Sequence, residues 1–107
     1  MSNLDINQIH ELIQRGHVLW KRHALERILE RGLTRAIILN VLLNGELVED
    51  YSDDRPFPGG LFLGWNEKQP LHVIVTLEVQ ENIVAVITAY EPTTDHFEPD
   101  FRTRRKL

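Results

Sequence analysis

Hydrophobic residues in the first 45 positions recur at intervals of three and four, which is the spacing of an amphipathic helix. The segments "DINQIHELIQRG", "RHALERILERG" and "RAIILNVLLNG" follow this pattern, and each of them ends at a glycine. Thr34 precedes the third segment as a helix-capping residue. The pattern predicts three helices, and it leaves "HVLW", between the first two, as either an extended link or a first strand.

The period changes to two after Gly45, which indicates strands. Alternating or β-branched runs follow in the order "ELVEDY", "LFLGW", "LHVIVTLE" and "NIVAVITAY". The link between the last two runs is short enough for a hairpin, so those strands are expected to be antiparallel neighbours. Helices followed by a strand meander predict an α+β fold, with two to three N-terminal helices packed on one antiparallel sheet of about four strands.

The length of 107 residues fits one domain, and we divide it into a helix and link (1–19), a core (20–91) and a tail (92–107). The absence of cysteine excludes disulfides, thiol nucleophiles and the soft ligands of a structural zinc site. The histidines lack metal-ligand spacing, and no glycine-rich phosphate loop occurs, so no metal and no cofactor is expected. No apolar run could span a bilayer and no signal-peptide pattern begins the chain. We therefore expect a cytoplasmic protein without membrane association.

The formal net charge of −4 argues against a general nucleic-acid binder, but the charge is unevenly distributed. The segment "ELVEDYSDD" is acidic, whereas the tail is basic. The basic tail residues are Arg102, Arg104, Arg105 and Lys106. They are interpreted either as a flexible solubilising extension or as contacts to a nucleic-acid backbone.

The second helix carries His23, Arg27 and Arg31 at four-residue spacing, along the border of an apolar side that includes Leu29. Two like charges at this spacing repel each other, and Glu30 compensates only in part. The stripe is either a solvated, ion-paired helix face or a basic wall that binds an anion such as phosphate.

Two strand residues are further candidates for chemistry. His72 shares a strand face with Ile74, and it is either a packed residue or a general base or anion contact. Tyr90 shares a face with Thr88 at the end of the last run. Its side chain is either an amphipathic residue at the core edge or a hydroxyl at the open end of the sheet.

Five motifs together resemble a small prokaryotic family, bacterial and archaeal, that is known only as a domain of unknown function. They are "RHALERILERGL", "NGELVEDYSDDRPFPGGLFLGW", "PLHVIV", "VITAYEP" and "FRTRRK". The resemblance covers about residues 20–106, and the motifs are specific as a set but weak singly. The family is distantly similar to the RelE/ParE and BrnT toxins of toxin–antitoxin modules. That similarity implies a RelE-like fold, with helices packed on a curved antiparallel sheet.

The resemblance also implies a function, namely the cleavage or binding of RNA by a toxin-like protein. His23 or His72 would supply an acid or base, Arg27, Arg31 and Arg105 the cations, and Tyr90 a stacking ring or a proton. The remaining basic tail residues would contact RNA. The implied partners are RNA and an antitoxin or other protein, and a homodimer stays open.

The alternative is a non-catalytic interaction or regulatory module of the same fold. In that case Arg27 or Arg31 would pair within the chain, with Glu30, Glu49 or Asp50.

Overall fold

The computed structural model describes residues 4–106, and its helices form where the sequence supplies caps and stops. The helices are α1 (Ile6–Gln14), α2 (Arg22–Glu30) and α3 (Arg35–Asn44). The Asp5 carboxylate accepts a hydrogen bond from the Gln8 backbone N–H, and the Thr34 hydroxyl accepts one from Ile37. Among residues 4–106, no helix has both the length and the apolar character needed to cross a membrane.

Five strands form one sheet in the order β1-β5-β4-β3-β2. The strands are β1 (Val18–Trp20), β2 (Glu46–Tyr51), β3 (Gly59–Asn66), β4 (Gln69–Glu78) and β5 (Ile83–Tyr90). Strands β2 to β5 are antiparallel neighbours, whereas β1 lies parallel to β5. The α+β prediction is therefore confirmed, but the sheet is mixed and has one strand more than predicted. The additional strand is "HVLW", which pairs with a segment 66 positions away, since Val18 lies opposite Val84.

The helices cover one face of the sheet and form the hydrophobic core with it. Buried residues of α1, α2 and α3 form one cluster with the inward residues of β3, β4 and β5. Helix α2 contributes Ala24 and Ile28, whereas Leu29 is 63% exposed. The prediction that Leu29 belongs to the apolar side of this helix was therefore wrong, because the contact between α2 and the sheet is narrower than the helical wheel suggests.

A β-bulge in β5 decides which side chains face away from the helices. Ile74 pairs with Thr88, but the next residue of β4 pairs with Val86, so Ile87 is the extra residue. The bulge reverses the alternation of β5. Val86 and Ala89 therefore both belong to the helix-covered core, although they are separated by an odd number of positions.

The tail lies across the sheet face opposite the helices. It is irregular apart from one bridge between Phe97 and Arg104. The ring of Phe97 is 97% buried and lies 4.6 Å from the imidazole of His72, and the ring of Phe101 lies 6.3 Å from that of Trp65. The interpretation of the tail as a free solubilising extension is therefore wrong, since its aromatic residues pack against the sheet.

Candidate functional site

A cluster of five polar side chains lies on the sheet face that the tail covers. We call it the polar cluster: Glu49 and Tyr51 of β2, His72 of β4, Tyr90 of β5 and Arg104 of the tail. The alternation of β2 places Glu49 and Tyr51 on one face. The strand register places His72 directly opposite Tyr90.

His72 is fully buried, and it is the one buried polar residue in the described part of the chain. Its Nε2 lies 2.8 Å from the carbonyl oxygen of Phe101, which can only accept, so Nε2 carries the proton. Nδ1 is then an acceptor, and the Tyr90 hydroxyl, 3.3 Å away, donates to it. Burial lowers the pKa of His72, although the bond to Phe101 and the nearby Glu49 oppose that shift. The imidazole is therefore neutral at pH 7.

Glu49 and Arg104 form the charged half of the polar cluster. The guanidinium Nε and Nη2 lie 2.7 Å and 3.0 Å from the two carboxylate oxygens, which is a bidentate pair. Tyr51 donates its hydroxyl to the same carboxylate. Burial alone would raise the pKa of Glu49, but the hydrogen bonds from Arg104 and Tyr51 hold it below its usual range. The same carboxylate raises the pKa of Arg104, so both partners are charged.

A cavity of about 360 Å³ opens beside this cluster. Its walls include Tyr90, Arg104 and the exposed imidazole of His96, with Glu91 at the same opening. Burial raises the pKa of Tyr90, so its hydroxyl is protonated at neutral pH. Because that proton points to His72, the oxygen lone pairs of Tyr90 are available on the other side. The cavity thus combines a hydroxyl backed by a neutral imidazole with a guanidinium.

The structure brings together only part of the predicted site. His72 and Tyr90 are in contact, with ring centroids 5.3 Å apart. The stripe of His23, Arg27 and Arg31 lies instead on α2, which packs on the opposite face of the sheet through its buried residues. None of these three side chains makes a hydrogen bond, ion pair or ring contact with His72 or Tyr90 within residues 4–106, although Arg31 bonds the carbonyl of Ala89, the residue before Tyr90.

The three members of the stripe have different surroundings. The side chain of His23 is 94% exposed, and its Nδ1 lies 3.8 Å from a carboxylate oxygen of Glu26. Arg31 donates a hydrogen bond of 2.6 Å to the carbonyl of Ala89, which ties the end of α2 to β5. The side chain of Arg27 makes no hydrogen bond or ion pair with any other residue of the described range 4–106.

Three of the four basic tail residues are paired within the chain. Arg102 pairs with Glu46 and Arg104 with Glu49, both on β2. Arg105 lies 3.4 Å from Glu98 and also donates to the carbonyl of Thr94. Lys106 is exposed.

The predicted ion pairs of the α2 arginines were wrong. Glu49 is held by Arg104 rather than by Arg27 or Arg31. Asp50 accepts a hydrogen bond from the backbone N–H of Leu4 instead of facing α2.

Two members of the site, Glu49 and His96, were not predicted as site residues, whereas Tyr51 was considered with the same two interpretations as Tyr90 and weaker support. Glu49 and Tyr51 stand two positions apart in an alternating run, so their common face could have been found from the sequence. His96 lies in an irregular segment without periodicity, and no local signal places it beside Tyr90. Within residues 4–106, no three His, Asp or Glu side chains lie together as metal ligands would.

Comparison with known proteins gives one match. The family model described as "Domain of unknown function (DUF4258)" matches residues 20–91. The match begins at the last residue of β1 and ends one residue beyond β5, so it includes α2, α3 and the strands that carry His72 and Tyr90. No curated protein and no solved structure matches the chain.

Proposed function

Because the chain belongs to the DUF4258 family, a domain family of unknown function, we propose its function from the site itself: a toxin-like protein that cleaves RNA. The observation that carries this proposal is the Tyr90 hydroxyl, held by the unprotonated Nδ1 of buried His72 at the wall of a cavity that Arg104 also lines. The RelE- and BrnT-like ancestry implied by the sequence motifs agrees with this chemistry. The antitoxin or other protein partner and the homodimer stay predictions.

The proposed reaction is attack of a ribose 2′-hydroxyl on the adjacent phosphorus. The new 2′-O–P bond forms as the P–O5′ bond breaks, which leaves a 2′,3′-cyclic phosphate and a 5′-hydroxyl. Tyr90 takes the 2′-hydroxyl proton on its oxygen and passes its own proton to Nδ1 of His72. The imidazolium that forms is stabilised by the Phe101 carbonyl and by the negative charge of Glu49.

The remaining steps use the other walls of the cavity. Arg104 donates from its guanidinium to the phosphorane oxygens, and two of its five N–H groups are already fixed by Glu49. His96, which lines the same cavity, donates the proton that the leaving O5′ requires. His72 then returns its proton through Tyr90 to solvent, and His96 takes up a proton from solvent, which together restore the starting state.

The experiment is cleavage of a fluorescently labelled RNA by the purified protein, with and without ribosomes. A strand of the same sequence with 2′-deoxyribose is the substrate control. We expect RNA ends with 2′,3′-cyclic phosphate and no cleavage of the DNA strand. Tyr90→Phe should lower the rate by about 10²- to 10⁴-fold. The matched control Tyr51→Phe removes a hydroxyl of the same cluster that does not line the cavity, and it should keep most of the activity.

The proposal fails if wild-type protein cleaves no RNA under either condition and does not slow bacterial growth when expressed. It also fails if Tyr90→Phe cleaves at the wild-type rate. In bacteria, the growth of cells that express wild type or Tyr90→Phe at equal levels makes the same comparison.

A second candidate function is the non-catalytic interaction module. The observation that favours it is the pairing of Arg102 and Arg104 with glutamates of β2, because such pairs reduce the cationic field available to RNA. Under this reading the polar cluster only fastens the tail. Variants of the cluster would then lower the Tm, and no variant would change any RNA product.

A further inference from the structure

A second surface, distinct from the polar cluster, combines exposed apolar side chains with a shaped depression. We call it the apolar groove, and its walls are Pro56, Phe57, Pro58, Leu77, Val79 and Gln80. Leu77 stands five positions along β4 from His72, about 16 Å at the rise of a strand. The groove has a volume of about 380 Å³. It therefore could accept several side chains of a partner.

The groove continues into a neighbouring cavity of about 210 Å³, which shares Pro58, Leu77 and Val79 with it. The far wall of this second cavity is Leu4 and Asp5, at the start of α1. Together the two cavities form two adjoining subsites that share Pro58, Leu77 and Val79. Adjoining apolar subsites suit successive side chains of a peptide segment.

Two large hydrophobic side chains are left exposed at this surface. Phe57 is 39% exposed and Val79 is 51% exposed. The surrounding backbone is fixed, since the Leu77 N–H donates to the Pro58 carbonyl at 2.8 Å and the Asp54 N–H to the Tyr51 carbonyl at 3.0 Å. The apolar side chains are therefore presented on a preformed surface, which lowers the entropic cost of binding.

The segments that line the two cavities are 4–8, 52–58 and 77–81. Their carboxylates are Asp5, which lines the second cavity, and Asp53, Asp54, Glu78 and Glu81. The one cation in these segments is Arg55, and its guanidinium donates to the backbone carbonyls of Asp53 and Asp54 rather than to a carboxylate. The negative charge at the rim is therefore not neutralised by pairing with Arg55.

We propose that the apolar groove docks a basic amphipathic segment of a protein partner. Phe57 and Val79 would contact the apolar side of that segment, and its Lys and Arg residues would meet the carboxylates of the rim. A nucleic acid is disfavoured there, because its phosphates would face the same carboxylates. A second copy bound through the same groove is also disfavoured, since two acidic rims would be opposed. The proposal stands independently of RNA cleavage.

The test uses fluorescence anisotropy with two labelled probes. One is a peptide of leucine and lysine with leucine at helical spacing, and the other has glutamate in place of every lysine. We expect only the lysine peptide to bind, with an affinity that falls as salt is added. Phe57→Ser and Val79→Ser should each weaken binding about tenfold or more. Leu29→Ser changes a side chain that is 63% exposed on α2, and it should bind as wild type does.

Several results would overturn the proposal. These are no binding of the lysine peptide, equal binding of the two peptides, or a loss with Leu29→Ser as large as that with Phe57→Ser. A dimer in sedimentation that dissociates in Phe57→Ser would assign the groove to a second copy instead. Because Phe57 and Val79 are exposed, these variants should keep the wild-type Tm, which circular dichroism checks first.

Discussion

Replacing His72 with phenylalanine tests whether the buried imidazole holds the polar cluster together. Phenylalanine keeps a planar ring, although a larger one, and with it the edge-on contacts that the imidazole makes with Phe97 and Tyr90. It removes both hydrogen bonds of the imidazole, at 2.8 Å to Phe101 and at 3.3 Å to Tyr90. The variant therefore removes the polar contribution of His72, and the larger ring can only add to the cost in this fully buried site.

The expected cost follows from what the lost bonds leave behind. The half-buried Phe101 carbonyl loses its donor, and an acceptor left unsatisfied costs about 1–3 kcal/mol, the lower part of that range where water can reach it. The Tyr90 hydroxyl borders the cavity and can turn toward water, so the loss of its hydrogen bond to Nδ1 adds only about 0.5–1 kcal/mol. We expect His72→Phe to lower the free energy of unfolding by about 2–3 kcal/mol. For a chain of this size that is a fall in Tm on the order of 10 °C.

The assay is urea denaturation followed by circular dichroism, with the slope of the transition checked to be unchanged. Tyr90→Phe is the control, because it removes only the donor to Nδ1 and should cost about 1 kcal/mol. If His72→Phe lies within about 0.5 kcal/mol of wild type, the two bonds contribute nothing net, and the reasoning is wrong.

Three further predictions concern pH and charge. The folded-state pKa of His72 lies below its ordinary value of 6.5, so the unfolded chain binds the proton more readily. The free energy of unfolding should therefore be at its highest above pH 6.5 and should decline as the pH falls below that value. Urea midpoints across about pH 5–8 should show this decline in the wild type and not in His72→Phe. Arg104→Met should lower the free energy of unfolding by about 1–2 kcal/mol, because it leaves Glu49 with Tyr51 as its remaining side-chain partner. A double-mutant cycle with Glu49→Gln should give a coupling energy of about 1 kcal/mol between the two residues. Arg31→Met should lower the free energy of unfolding by about 1 kcal/mol, because it removes the hydrogen bond to the Ala89 carbonyl of β5. Arg27→Met should leave the Tm unchanged. Equal Tm values for the two variants would contradict the difference in their contacts.

The helices could be predicted because their signals are local. Thr34 caps α3 through a residue three positions away, and Gly16 and Gly32 supply the positive φ that follows α1 and α2. The contact between His72 and Tyr90 could also be predicted from a local signal, because a short hairpin fixes the register of β4 and β5.

The remainder depends on contacts between distant parts of the chain. The bidentate pair of Arg104 with Glu49 joins residues 55 positions apart, and no periodicity in the tail indicates where it lies. The stripe of His23, Arg27 and Arg31 has correct helical spacing, yet spacing does not say which face of the sheet α2 covers. Helix α2 packs on the face opposite His72, so the stripe does not join the polar cluster.

The three residues of β1 have a consequence for solubility. Strand β5 is almost wholly apolar, and β1 occupies its outer edge, where Val84 donates its N–H to the carbonyl of His17 at 3.0 Å. Without that cover, β5 would present unpaired backbone groups along a hydrophobic strand, which is a template for intermolecular pairing. Strand β1, whose last residue is the first of the family match, thus protects this edge against aggregation, and a chain that lacks β1 should form insoluble assemblies.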